Sequence, residues 1–328
     1  DGTRDQGDGL VGSEMCIRDR PGSGHVMLLD IAELILPASF GQAIMKTGND
    51  DGTLSPAIVK AREGGATALW CHHTRGLEDI PSWVKGILDG QTIFDQGSTG
   101  RYEEGLYRYL NIGLHVPIAT GTDWFIRDMA MTYVQAPRPP ATDTWLAALR
   151  AGRSFITNGP LLTLRVNGNG PGATVDLTDS GTVQIEAAAV GRDEFGSVEV
   201  VVNGEVVKQA ESSSNDGYHS ASAAFELPVN QPVWVALRVP FYEGTYDRPT
   251  ATPVHFNAYG RPIFAHTSPV YINLAGNGVF KPEAAEDLIA ELNESKRIIR
   301  ETGDYSNNTE RDAVLAIYDE AIGTLNEK

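Results

Sequence analysis

Between Ser55 and Thr157 the chain repeats one order three times: a capped start, a short helix, a closing glycine and a short apolar strand. In the first copy Ser55 and Pro56 form a cap and first-turn pair, and Ala57 to Glu63 reads as helix. Gly64 and Gly65 end it, and Ala66 to Cys71 is a buried strand. In the second, Leu106, Tyr109 and Leu110 share one face of a helix over Tyr102 to Leu110, Gly113 closes it, and Val116 to Thr120 is the strand. The third sets Asp143 before a helix over Thr144 to Arg150, Gly152 after it and a strand over Ser154 to Thr157. Helix then strand on short loops predicts an α/β fold: a parallel sheet covered by helices, open or closed into a barrel. Upstream, His25 to Leu36 begins as an apolar, strand-like run that Pro37 stops.

After Gly159 the grammar changes. Short apolar runs follow at Leu161 to Val166, Val183 to Ala189, Val198 to Val202, Ala221 to Leu227, Val233 to Val239 and Pro269 to Asn273. Asn167-Gly168 and Asn203-Gly204 are hairpin dipeptides, since both residue types tolerate the positive φ of a type I′ turn. The runs predict a β-sandwich. The tail turns helical again, with Leu288, Ile289, Leu292 and Ile299 at helical spacing in Pro282 to Glu301. Thr309 with Asp312 then looks like a capping box before a second helix over Ala313 to Leu325. The expected organisation is residues 21–159 as an α/β domain, 160–275 as a sandwich-like domain and 276–328 as a helical hairpin.

The charge balance narrows the partners. With 26 Lys and Arg against 43 Asp and Glu, the formal charge of −17 repels phosphate backbones and acidic membrane surfaces, so no nucleic-acid partner is expected. No run approaches the roughly 20 apolar residues of a membrane helix, and 2 cysteines build no disulfide framework. Localisation and oligomeric state stay open. Residues 1–20 show neither helical nor alternating period and are expected to be disordered. Within them LVGSEMCIRDR, Leu10 to Arg20, resembles a translated sequencing-library adaptor, which implies that the natural protein extends upstream of Pro21.

In parallel α/β folds, side chains just past the C-terminal ends of strands converge on one rim, where ligands bind. His72, His73 and Asp123 take such positions, and imidazole and carboxylate are the usual ligands of a hydrolytic divalent metal. Each alone has a structural reading too: a loop hydrogen bond for a histidine, a helix cap for Asp123. Arg75 and Asn158 are further candidates to orient substrate or a ligand, although the Asn158-Gly159-Pro160 context favours a turn. Neither a phosphate-binding P-loop nor a Gly-x-Ser-x-Gly elbow is present.

Four ordered stretches carry a resemblance. LWCHHTRGLEDIPSW (Leu69 to Trp83), YRYLNIGLHVPIATGTDWF (Tyr107 to Phe125), WLAALRAGRSFITNGPLL (Trp145 to Leu162) and FAHTSPVYI (Phe264 to Ile272) together resemble the CehA/McbA family, a branch of the polymerase-and-histidinol-phosphatase (PHP) superfamily of metallohydrolases. The resemblance implies the C-terminal part of a distorted β/α barrel with metal at its strand ends, then a sandwich-like domain. Carried over by motif, His72 and Asp123 are metal ligands, and His25 is a third ligand whose usual upstream glutamate partner is not in the chain. His73 stands where Asn is more common, and Phe125 stands where many relatives have a second histidine, which favours one or two ions of zinc, manganese or iron. His266 matches the last motif and is a candidate for contact with a ligand or substrate. The implied activity is hydrolysis of a small-molecule ester, carbamate or phosphoester by a metal-activated water, with the present chain inactive or weakly active by itself. The rivals are a non-catalytic binding module, with the sandwich as its recognition unit, and a PHP domain that keeps the fold without its ligands.

Overall fold

A computed structural model of the chain describes residues 14–19, 24–35, 39–40, 53–73, 78–95, 102–122, 130–240, 254–303, 305 and 307–328. It contains two compact units, one of Asp1–Asp89 with Lys281–Lys328 and one of Gly90–Phe280.

The first unit opens with strands β1 (Glu14–Asp19), β2 (His25–Leu29) and β3 (Ser39–Phe40), helix α1 (Ser55–Glu63), strand β4 (Thr67–Trp70) and helix α2 (Asp79–Val84). β4 is buried throughout, whereas β2 alternates half-buried and buried residues. That alternation suits an antiparallel strand. β2 indeed runs antiparallel to β4, with Val26 opposite Trp70 and Leu29 opposite Thr67, where helix-then-strand order had suggested parallel neighbours. The unbroken apolar run VMLL after His25 hides the alternation. On its other edge β2 carries β1, from Glu14 opposite Leu29 to Arg18 opposite His25. Residues 14–19 were expected to lack structure, but pairing at an open edge uses main-chain groups alone and asks no apolar period of the added segment.

The start of α1 is held by a neighbour and not by Ser55. The Glu78 carboxylate accepts the Leu54 N–H at 3.0 Å and the Thr53 hydroxyl at 2.7 Å, which places a negative charge at the positive end of the helix. α2 escapes a sequence reading because Pro81 reads as a breaker. It sits in the first turn, where its missing N–H costs nothing.

The second unit begins with β5 (Gly90–Thr92), α3 (Tyr102–Asn111), β6 (Ile118–Ala119), β7 (Met131–Val134), α4 (Thr142–Arg150) and β8 (Ser154–Thr157). There follow β9 (Leu161–Val166), β10 (Thr174–Leu177), β11 (Gly181–Gly191), β12 (Ser197–Val202), β13 (Glu205–Glu211) and β14 (Ser213–Asn215). The unit ends with β15 (Tyr218–Val229), β16 (Val233–Val239), β17 (Ala265–Thr267) and β18 (Val270–Leu274). β5 and β6 pair in parallel. β8 does not join them, although it closes the third helix–strand copy. It lies between β7 and β17, antiparallel to both, in an eight-stranded sheet of order β10-β18-β16-β17-β8-β7, with β12 on β16 and β13 on β12. A second sheet of order β14-β15-β11-β9 faces it. Alternate residues of both meet between them: Leu162, Leu164 and Val166 with Val183 and Ile185 from one sheet, Val200, Val235, Leu237 and Ile272 from the other.

The chain closes with α5 (Pro282–Thr302) and α6 (Asn308–Asn326), which belong to the first unit. Leu288, Leu292 and Ile299 from α5 and Val314, Leu315, Tyr318 and Leu325 from α6 are buried, and both helices pack on α2. The cap of α6 is Asn307, whose Oδ1 accepts the Glu310 N–H at 3.1 Å, and not Thr309. The described structure is therefore mixed α/β, with no sheet closed into a barrel among the described residues. No described helix is long and apolar enough to cross a membrane.

Candidate metal centre

Antiparallel pairing puts the first residue of β2 beside the last of β4. The ladder runs one step past β4, with the Cys71 N–H donating to the His25 carbonyl at 2.8 Å. Here the backbone turns: His72 has φ of +62°, a left-handed conformation that costs an L-residue about 1–2 kcal/mol. Its imidazole then lies beside that of His25, with Nδ1 of His25 3.1 Å from Nε2 of His72 and the ring planes tilted by 45°. Gly24 makes room for this corner, because a Cβ there would lie 2.2 Å from the fully buried Trp70 ring.

His72 and His73 are both buried, at 4% and 1% exposure. Of the seven sequence candidates, then, His25 and His72 are brought into contact and His73 is buried next to them in sequence. Asp123 and Arg75 lie outside the described residues. Asn158 and His266 belong to the second unit, and each is committed there.

Asn158 ties the end of β8 to the segment 257–264 that leads into β17. Its Nδ2 donates to the Pro262 carbonyl at 2.8 Å, its Oδ1 accepts the Phe264 N–H at 2.8 Å, and its carbonyl accepts from Asn257 Nδ2 at 3.1 Å. These bonds reach about a hundred positions along the chain and do not close the local turn that its sequence context favoured.

His266 is fully buried in β17. Its Nδ1 lies 2.7 Å from the Thr267 carbonyl, so Nδ1 carries the proton and Nε2 accepts from the Tyr107 hydroxyl at 2.9 Å. Tyr107 in turn accepts from Arg238 at 3.2 Å, which also donates to Tyr102 at 2.9 Å, to Glu103 at 3.1 Å and to Glu199 at 2.8 Å. Burial raises both phenols and keeps them protonated, while burial works against the Arg238 charge but is outweighed by its tyrosine and glutamate neighbours. Sequence reasoning missed this network. Its signal was present in VWVALRV, where one arginine in a buried strand demands counter-charges.

Burial, with a smaller contribution from Arg238, lowers His266 from 6.5 to about 3. A histidine whose folded value lies below its unfolded one contributes stability that is complete above the unfolded value and is lost as pH falls. The second unit should therefore lose stability between pH 6.5 and about 3, by up to roughly 1.4 kcal/mol per pH unit from this one proton. Urea midpoints against pH for wild type and His266→Asn check this, with a flatter acid limb expected in the variant. Parallel limbs would show that His266 takes up its proton while folded.

A shared ion is compatible with the histidine pair. With Zn–N bonds of about 2.0–2.1 Å, two adjacent nitrogens stand about 2.8–3.0 Å apart on an octahedral ion and about 3.3–3.4 Å apart on a tetrahedral one, and the observed 3.1 Å lies between the two. The same spacing suits an N–H···N hydrogen bond between the rings. Among the described residues no group of three or more His, Cys, Asp or Glu side chains gathers as a metal site. Compared with protein-family models and with curated proteins, the chain matches none.

Proposed function

We propose that the chain is part of a metal-dependent hydrolase of PHP type, with His25 and His72 holding a divalent ion where β2 begins and β4 ends. The observation that carries this reading is the His25 Nδ1 to His72 Nε2 spacing of 3.1 Å, reached at the cost of a left-handed backbone at His72. Strain of that kind clusters at sites where chemistry fixes a side chain's direction. The β2–β4 ladder holds both rings from rigid strands, which is how a ligand pair keeps its spacing. When bound, zinc, manganese or iron would polarise the scissile ester, carbamate or phosphoester and supply water at a pKa near ~7. The four motif stretches support the same family reading.

The rival is a ligand-poor domain of this type in which the two rings simply share a proton, and the 3.1 Å spacing serves that reading as well. Stoichiometry separates them. Metal-free protein dialysed against a small excess of zinc, then washed and analysed by mass spectrometry, should retain one or two ions per chain. Retention of none would hand the site to the proton-sharing pair.

A further inference from the structure

His25 opens β2 and His72 lies two residues past the end of β4, beyond the last rung of the ladder, where the Cys71 N–H donates to the His25 carbonyl at 2.8 Å. Strand ends fray where no further main-chain bond holds the two arms together. The residue before His25 adds freedom at the same point: Gly24 has φ of +140°, a backbone that residues with side chains rarely adopt, and glycine is the most permissive residue of all. Two nitrogens held 3.1 Å apart need a restraint here that neither the ladder nor Gly24 supplies.

The Trp70 indole supplies it. Register and alternation place Val26, Leu28, Ala68 and Trp70 on one face, with Val26 opposite Trp70 and Leu28 opposite Ala68, and all four are fully buried. His25, Met27 and Leu29 take the other, half-buried face. From its own strand the indole reaches across to the neighbouring one: a Cβ on Gly24 would lie 2.2 Å from both Cζ2 and Cη2 and 3.3 Å from Cε2. The benzo edge therefore rests on the backbone of residue 24, with no side chain between them. One rigid side chain thus spans both arms of the pair, rooted two residues before His72 and seated on the residue just before His25. A ring at 0% exposure, close-packed in a core, has no free space to swing into.

We propose that Trp70 is a positioning residue of the metal centre: its indole, packed on Gly24, sets the separation of His25 Nδ1 and His72 Nε2 from the face of the sheet opposite to His25. This rests on the reading of the two histidines as metal ligands. Gly24 has a matching task, since only a residue without a Cβ lets the indole reach the backbone beside His25.

Trp70→Phe tests this, because phenylalanine keeps an aromatic ring in the core but loses the benzo edge that reaches Gly24. Leu28→Ala is the control, since it removes more buried volume from the same face, three residues along β2 from His25. Two quantities are read on the whole chain: zinc affinity by competition with a chromogenic chelator, and the ring 15N shifts of His25 and His72 in the metal-free protein. Trp70→Phe should bind zinc about tenfold more weakly, as changes just outside a metal's ligands do, and should move both histidines' shifts, while Leu28→Ala stays near wild type in both. Gly24→Ala, which drives the same contact apart from the other side, should follow Trp70→Phe and decides the matter if that variant does not fold. Wild-type zinc affinity in Trp70→Phe would overturn the positioning role and leave the metal site standing. Equal losses in Trp70→Phe and Leu28→Ala would overturn it too, because they would report a general loosening of the core. Unmoved ring shifts in Trp70→Phe would show that the indole does not set the pair. No zinc binding by wild type would overturn the metal reading and the role of Trp70 in it, even where the ring shifts move.

Discussion

Gly172→Ala should unfold the second unit, or cost it more than about 4 kcal/mol, a loss reached only by changes with a definite steric or electrostatic cause. The cause here is backbone against backbone. Gly172 has φ of +81°, and a Cβ on it would stand 2.0 Å from the Ala151 carbonyl oxygen and 2.7 Å from the Gly152 carbonyl carbon. No side chain can rotate away to relieve that. Gly152, itself at φ +67°, ends α4, and the Gly172 N–H donates to the Pro269 carbonyl at 2.7 Å, so the turn before β10 is trapped between two fixed segments. Urea denaturation of the variant decides the point. A midpoint shift worth less than about 1 kcal/mol, the usual effect of a tolerated substitution, would mean that these segments separate easily.

The second large effect is on metal and leaves the fold nearly intact. His72→Gly removes one imidazole of the pair but also releases a residue held at φ +62°, which returns about 1–2 kcal/mol of left-handed strain and offsets part of the emptied volume. Zinc affinity should fall by more than the about 10–100-fold typical of outer-shell changes, while the thermal midpoint moves little. His72→Ala keeps the strain and should lose the same affinity with a lower midpoint. His73→Asn is expected to bind zinc nearly as wild type does, since the family resemblance leads one to expect Asn there. Chelator competition on matched, folded samples measures all three. Equal zinc affinity in His72→Gly and wild type would remove His72 from the site.

Strands with strong alternation were legible in the sequence. The bounds of Ser154–Thr157 and Leu161–Val166 can be read from it residue by residue, because an apolar run flanked by glycine or proline leaves little choice. The sheet that a strand joins was not legible. β8 looks like the third strand of a repeated α/β unit, yet it pairs with β7 just upstream and with β17 more than a hundred positions downstream, and local period says nothing of either pairing. β13, EVVKQAE, is exposed along almost its whole length and carries no alternating apolar signal. At the site, the place of His72 just past a buried strand followed from the order of elements. Its contact with His25 did not, since it depends on antiparallel pairing with β2 and on a left-handed residue, and sequence spacing encodes neither.

Two particular nitrogens are expected to take one ion, and histidine ring 15N NMR of the whole chain observes them directly. Adding one equivalent of zinc should move Nδ1 of His25 and Nε2 of His72 together to metal-bound shifts and abolish any coupling through a hydrogen bond between them. If both nitrogens keep their metal-free shifts, with one ring still donating its proton to the other, the pair is a structural hydrogen bond and the metal centre does not exist.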